Sequence, residues 1–494
     1  MVNSRAGFND APTPKNAPSG TKALFPIPLF CFAGALVTFA VLAGPFQPQI
    51  EAIPQGYIHG LSLLAYVFSL LALWSAGITA LSAPGLFLFG TLLFNSGRSI
   101  AYFLPHPLPP LGQGLAEGDE SRAVLAVTLV VFCMSLGLVF GKRFFAQGPK
   151  AIDTSANATR IAGIAILALA ALPAFISLRS SLDTALSHGY SGLYSSEVST
   201  GIDGSWRVLS SFFIPSCLFV LAGSRTTATW RRTSLGLIVS YSLVLFAVGY
   251  RGWSALPLVA ACWVWHHSVR PISRRFVVAA SAVLLLVVFP LVREFRQSTG
   301  RERTEASSIV NKYRSLDSPI RSILLEMGGT ANTIAYTEKL VPRERDFELG
   351  NSYLFSALTI FPNLFWSLHP TVERGTPSRW LVATINPAEA AIGGGMGYSF
   401  IAEAYLNFGT FGYVLAGFVL GSALLGIEYT AAGNVRRVAL VGAFLSFFLF
   451  YVRDDSTGWV RGLAWFSLSP YLLSLLLTRL SKPRWPAMPL KLAR

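Results

Sequence analysis

The residues best suited to chemistry are arginines and carboxylates at the ends of apolar runs or in the one long polar connection. They are Arg251 in GYRGW, Glu326 in LLEMGGT, Arg374 and Arg379 in VERGTPSRW, Glu403 and Asn407 in AEAYLNFG, and the triplet Arg453-Asp454-Asp455. Arginine offers a planar fork that stays charged and grips phosphate or carboxylate oxygens through two parallel hydrogen bonds. Cations beside lipid call for a ligand or a partner. The chemistry this set suggests is the holding of a phosphate-bearing group at a membrane surface, with a carboxylate at hand to move a proton.

Each residue has a structural alternative. Arg251 is either a clamp for pyrophosphate or sugar phosphate, or a snorkelling cation paired with a neighbouring acid. Arg453 and the two aspartates either orient a ligand or form a structural ion pair. A metal reading is weaker, since neither His nor a third acid accompanies them locally. Glu403 and Asn407 lie four residues apart on one helical face, which suits a general base or acid, or equally an interhelical hydrogen bond. Glu326, Arg374 and Arg379 are charges in a loop, where most charges are solvated surface. His369 is a lone loop histidine. The string GGGMG (393–397) has no Lys-Ser/Thr after it and no strand before it, so it reads as a flexible lead-in to the next helix rather than a phosphate loop. Gly417 and Gly421 form a GxxxG pattern for close helix packing. No H-E-x-x-H, Walker A or G-x-S-x-G pattern occurs.

The elements that position these residues are membrane spans. The chain has 494 residues, 52% of them hydrophobic and only 13% charged, so lipid is its solvent. Runs of spanning length occur near 24–44, 58–81, 84–104, 123–141, 161–178, 207–223, 234–250, 252–267, 276–292, 398–428, 438–452 and 459–478. The first is too long for a signal-peptide core and is expected to be retained. The four cysteines fall inside apolar runs and encode no disulfide framework or metal site. With the N-terminus inside, alternate connections gather 20 cations against three acids, leaving 19 cations and 21 acids for the outer half. This is the positive-inside pattern, and it turns the net charge of +15 into a report on topology rather than on nucleic acid.

The expected organisation is therefore an all-α polytopic membrane protein of about 12 transmembrane helices. A polar cytoplasmic tail (1–23) precedes nine spans (24–292). A large outer loop (293–397), three further spans (398–478) and a basic cytoplasmic tail (479–494) follow. The loop is nearly neutral, with 12 cations and 11 acids. Its segment around 304–329 has the apolar spacing of helices lying on a membrane surface, broken at Pro319. The stretch SYLFSALTIFPNLFWSLHP, interrupted by Pro362, is expected to be re-entrant or interfacial, because counting it as a span would reverse the charge pattern after it.

Several strings resemble the Wzy-type O-antigen or oligosaccharide repeat-unit polymerases. They are GYRGW at a span end, LLEMGGTANTIAYTEKLVP followed by ELGNSYLFSALTIFPN, then GMGYSFIAEAYLNFGTFGYVLAGFVLG, and the closing RDD where family members often read Arg-Gly-Asp. The resemblance covers roughly residues 245–470. It implies a GT-C-like glycosyltransferase of the bacterial inner membrane, both termini cytoplasmic, working at the periplasmic face without metal or other cofactor. Its donor and acceptor would be undecaprenyl-pyrophosphate-linked oligosaccharides, with membrane lipid and a chain-length regulator protein as partners and no nucleic acid. Arg251, Arg374, Arg379 and Arg453 would then serve pyrophosphate binding and orientation, with Asp454 and Asn407 beside them. Glu403 would be the first candidate for the base, and Glu326 the second. A lipid-linked oligosaccharide flippase or other transporter, and an O-antigen ligase, are the rival functions. A transporter is expected to carry charges along an alternating-access path, whereas the central parts of these spans are nearly charge-free.

Overall fold

The computed structural model describes residues 26–44, 47–145, 155–193, 202–297, 318–363 and 366–481, and every regular element among them is helical. In chain order these begin with α1 (Pro26–Ala43), α2 (Gln55–Ser75), α3 (Ala83–Tyr102), α4 (Glu117–Phe144) and α5 (Ala156–His188). The pair α6 (Ile202–Ser210) and α7 (Phe213–Gly223) follows, then α8 (Ala228–Val248), α9 (Arg251–Ser268), and α10 (Arg274–Val283) with its continuation α11 (Phe289–Gln297). Six short helices come next: α12 (Pro319–Gly328), α13 (Ala331–Leu340), α14 (Asn351–Leu358), α15 (Pro370–Arg374), α16 (Pro377–Ile385) and α17 (Pro387–Ala391). The chain closes with α18 (Phe400–Ala431), α19 (Val435–Phe448), α20 (Thr457–Arg461) and α21 (Leu468–Leu480).

Helices stand at all twelve apolar runs. Among the described residues ten are long and apolar enough to cross a membrane by length and composition. The other two positions hold α3 and α9, of 20 and 18 residues. Helix α3 is more polar because it buries Asn95, Ser96, Arg98 and Ser99 inside the protein. The molecule is a multi-pass membrane protein.

Helix α4 forms the axis of the bundle: 89% of its apolar window is enclosed by protein, against 17% for α10 and α11. A helix apolar on every side is at home in either place, in a core or in lipid. Small residues decide which helix comes close. A Cβ on Gly417 or Gly421 of α18 would stand 2.5 and 2.2 Å from the carbonyl oxygens of Val130 and Met134 on α4, and one on Gly137 would stand 2.3 Å from that of Phe418. The two backbones thus touch through glycines on both sides, as the GxxxG spacing predicts.

Contacts between spans sort the connections into two ends. At one end Glu428 accepts from Ala83 N and pairs with His267, Arg160 bonds Thr227, and Arg436 bonds Ser474 and Thr478. At the other, the loop end, Arg98 grips Glu120 through two hydrogen bonds of 2.8 and 3.0 Å, and Arg122 pairs with Glu338 of α13.

The loop helices pack on this second end. Pro319, at which the apolar spacing is expected to break, opens α12. It occupies the first turn, where its missing N–H costs nothing, and Ser318 caps the turn by accepting from Arg321 N. Helix α12 is docked on α3: Cβ atoms on Gly97 and Gly328 would fall 2.6 Å from Leu324 O and Arg98 N. Residues 304–317 of the expected surface helices lie outside the described residues. In the stretch expected to be re-entrant or interfacial, α14 has eight residues, too few to cross lipid. It leaves Leu354 exposed, as are Ile360 and Phe361 just beyond it.

Candidate functional site

GYRGW makes the sharp hairpin between α8 and α9, and each residue has a task. Gly249 closes α8 at φ 107, a left-handed conformation that glycine adopts freely. Tyr250 is the N-cap of α9, and Arg251 is its first residue. Gly252 admits the ring of Phe450, which a Cβ would meet at 2.5 Å, and Trp253 stacks on that same ring at 5.3 Å. The hairpin is thereby clamped to the end of α19. Arg251 pairs with Glu326 of α12, and Arg293 of α11 reaches the other oxygen of that carboxylate at 3.5 Å.

Arg453 ends the 3₁₀ turn Leu449–Arg453 that follows α19, its guanidinium 5.6 Å from the ring centroid of Phe94. Its carbonyl accepts from Tyr398 N at 3.1 Å. Gly397 lies against it, φ 75, where a Cβ would be 3.0 Å from Arg453 O. The glycine string 393–397 is thus a fitted wall as well as the approach to α18. Gly394 likewise leaves room for Glu389, whose Oε1 a Cβ would meet at 2.1 Å.

These pieces enclose a cleft of about 580 Å³ at the loop end, lined by Arg251, Glu326, Arg379, Arg453, Asp454 and the glycine string. Arg379 is exposed. Asp454 and Asp455, alike in sequence, part company here. Asp455 is buried, its oxygens taken by the N–H groups of Ser378 and Thr457 at 3.2 Å and by the Thr457 hydroxyl. It pins α16 to the turn before α20. Asp454 lines the cleft and accepts from Asp455 N at 2.9 Å. Burial pushes its carboxyl well above the ordinary range, and the charge of Asp455 pushes it further. The Asp455 N–H and the Arg453 charge oppose this more weakly.

Three of the expected site residues lie elsewhere. Glu403 is fully enclosed and accepts four hydrogen bonds: from Ser352 Oγ at 2.9 Å, Tyr451 OH at 3.1 Å, and Ser456 N and Oγ at 2.9 and 2.6 Å. Asn407 donates to Ser352 Oγ at 2.7 Å and accepts from Gly350 N at 2.9 Å. The following Phe408 and Gly409 leave helical geometry, Gly409 at φ 59. The kink strips two carbonyls of their helical donors, and the loop supplies replacements, Glu348 N to Leu406 O at 2.9 Å and Leu349 N to Asn407 O at 3.1 Å. AEAYLNFG is therefore the socket into which the loop is fastened. Arg374 pairs with Glu348 and lies 4.3 Å from the ring centroid of Phe355, while Arg345 pairs with the same carboxylate. It too holds the loop together.

The sequence did not single out His188, Tyr190, Tyr250 or Glu389, which also line the cleft. For the glycine string there was a signal, since clustered glycines mark places where chain segments approach closely. No group of three or more His, Cys, Asp or Glu residues able to hold a metal occurs among the described residues.

No curated protein and no solved structure is significantly similar to the chain. The family model of the O-antigen polysaccharide polymerase Wzy matches residues 31–482, nearly the whole of the bundle just described. The chain accordingly belongs to the Wzy family of O-antigen polysaccharide polymerases, which act on lipid-linked oligosaccharide repeat units in the membrane.

Proposed function

We propose that the arginine-lined cleft is where polymerisation takes place, with the growing glycan leaving its undecaprenyl pyrophosphate for a hydroxyl of a new lipid-linked unit. The observation that carries this reading is the meeting of Arg251, Arg379 and the adjacent Arg453 and Asp454, from three distant parts of the sequence, in one cleft at the loop end. In the step, the acceptor hydroxyl oxygen bonds the anomeric carbon as its proton passes to the Asp454 carboxylate. The bond from that carbon to pyrophosphate breaks, and the leaving pyrophosphate takes the electron pair. The arginines meet the charge that develops on it, which is why we read the transfer as GT-C-type and independent of metal. Asp454 serves as base better than Glu403, whose oxygens are committed to internal donors, and better than Glu326, which is held by two arginines.

The charge pattern supports placing the cleft at the periplasmic face of the inner membrane, both termini cytoplasmic. The loop surface beside the cleft would be the place for a chain-length regulator to act. Deletion tests the whole reading. The expected result is loss of long glycan chains while single repeat units still reach the surface. Stranding of the lipid-linked unit inside would mark a transporter, and failure of even single units to be attached would mark a ligase.

A further inference from the structure

Next to the cleft, with Tyr250 and Trp253 in the linings of both, is a second chamber of about 740 Å³ between α5, α6, α8 and α9. We propose that this chamber binds the saccharide of the acceptor unit and presents its terminal sugar to Asp454; the proposal rests on the polymerase reading of the cleft. The first support is a stripe of hydroxyls. Ser177, Ser181 and Thr184 fall at i, i+4 and i+7 on one face of α5 and line the chamber, and the next residue in that stripe, His188, lines the cleft itself. The hydroxyls of Ser177 and Ser181 make no hydrogen bond with another described residue. They stand ready for a ligand that brings its own donors and acceptors.

The second support is aromatic. Trp206 and Trp253 both line the chamber. Trp253 is held by Phe450 against one face of its indole, yet stays 42% exposed. A rigid ring with an open face and a row of hydroxyls lining the same chamber match the two surfaces of a pyranose, its apolar C–H face and its hydroxyl edge. Among the described residues of the lining Arg207 is the one that carries a charge.

The third support is height. Helix α5 has 33 residues and is about 50 Å long, whereas the hydrocarbon layer is about 30 Å thick. Its last turns, from Ser177 to His188, therefore rise to the headgroup level at the loop end, where sugar on a lipid carrier would lie.

The test uses the purified full-length protein in detergent. Lipid-free repeat-unit oligosaccharide is titrated by calorimetry, then offered as acceptor to the lipid-linked unit as donor. The Ser177→Val/Ser181→Val variant is expected to bind the oligosaccharide about tenfold more weakly, the worth of two ordinary hydrogen bonds. Its KM for the oligosaccharide acceptor should rise similarly, with KM for the lipid-linked donor and kcat unchanged. Arg251→Ala should leave oligosaccharide affinity as it was. Trp206→Phe, on another helix, provides a second reading if the valine variant does not fold. Wild-type affinity in the chamber variants would overturn the proposal. So would a rise confined to the donor KM, or displacement of the oligosaccharide by phosphatidylglycerol micelles, which would mark a lipid-headgroup site. Binding is read without turnover, so failure of the polymerase reading would show separately, as saccharide binding without elongation.

Discussion

Glu403 accepts both hydrogen bonds that Ser456 offers, from its backbone N–H at 2.9 Å and from its hydroxyl at 2.6 Å. Together with Ser352 and Tyr451 these contacts join α18, the loop helix α14 and the turn before α20 around one carboxylate. Four donors converge on two oxygens, three of them hydroxyls and one the Ser456 N–H.

Alanine leaves all four without an acceptor, whereas glutamine keeps one oxygen for Ser456 N and Tyr451 and sets its amide against the Ser352 and Ser456 hydroxyls, which can turn to accept. Glu403→Ala is therefore expected to lower stability by about 3 kcal/mol or more, the cost of stranding buried hydrogen-bond donors, and Glu403→Gln by less, about 1 kcal/mol. The check is the thermal unfolding midpoint of the purified variants, measured beside their glycan chain lengths. A Glu403→Gln protein with the wild-type midpoint and no polymer would instead return Glu403 to the chemistry.

Asp454 is expected to behave in the opposite way. Its carboxyl is raised by burial and by Asp455, so the folded protein holds that proton to higher pH than the unfolded chain does. Between the ordinary carboxylate value and the raised one the folded state binds more protons, and this group's contribution to stability falls as pH rises through that window. Asp454→Asn removes the penalty. It should unfold at the wild-type temperature or above while elongation drops by roughly 10²-fold or more. In the wild type, elongation should increase as pH rises through the raised value, where the base form accumulates. A flat pH profile together with an active asparagine variant would exclude Asp454 as the base.

Much of the bundle was legible because hydropathy and charge are properties of runs, and runs survive uncertainty about any single residue. The helices predicted at 84–104 and 252–267 are present although both are more polar than their neighbours. The site was legible only in part. The sequence can mark Arg251, Arg453 and Glu403 as unusual beside lipid, but a buried carboxylate with four donors and a cleft carboxylate with one have the same local signature. What separates Glu403 from Asp454 is the placement of Ser352 and Ser456, which lie 51 and 53 residues from Glu403.

Arg251 and Glu326 offer a sharper division of labour. The arginine is only 11% exposed in its side chain and the glutamate 29%, so the pair holds the guanidinium in place before substrate arrives. Arg251→Lys keeps the charge and loses the fork, and elongation is expected to fall by about 10²-fold, as for loss of one charge-stabilising donor at a reacting centre. Glu326→Gln keeps a hydrogen-bond acceptor for Arg251 and should retain elongation within about tenfold, a loss of one ordinary interaction. Chain-length distributions from the two variants decide the matter. If Glu326→Gln is as inactive as Arg251→Lys, the carboxylate takes part in proton transfer after all.

The place of Glu326 depends in turn on a pair of glycines. A Cβ on Gly97 would stand 2.6 Å from Leu324 O and 3.2 Å from the backbone of Gly328, atoms with no flexible end to swing aside. Gly97→Ala should therefore push α12 away from α3 and carry Glu326 from its pair with Arg251. The rest of α3 stays fixed by Arg98, whose bonds to Glu120 at 2.8 and 3.0 Å face another way. Overpacking of this kind costs about 1–3 kcal/mol, too little to unfold the bundle but enough to misplace a residue that must sit within an ångström of its partner. The variant is expected to reach the membrane in normal amount and to make short glycans, and cysteine pairs introduced between α12 and α9 should cross-link less readily than in the parent. Normal chain lengths in Gly97→Ala would show that the position of α12 is not what holds Arg251 ready.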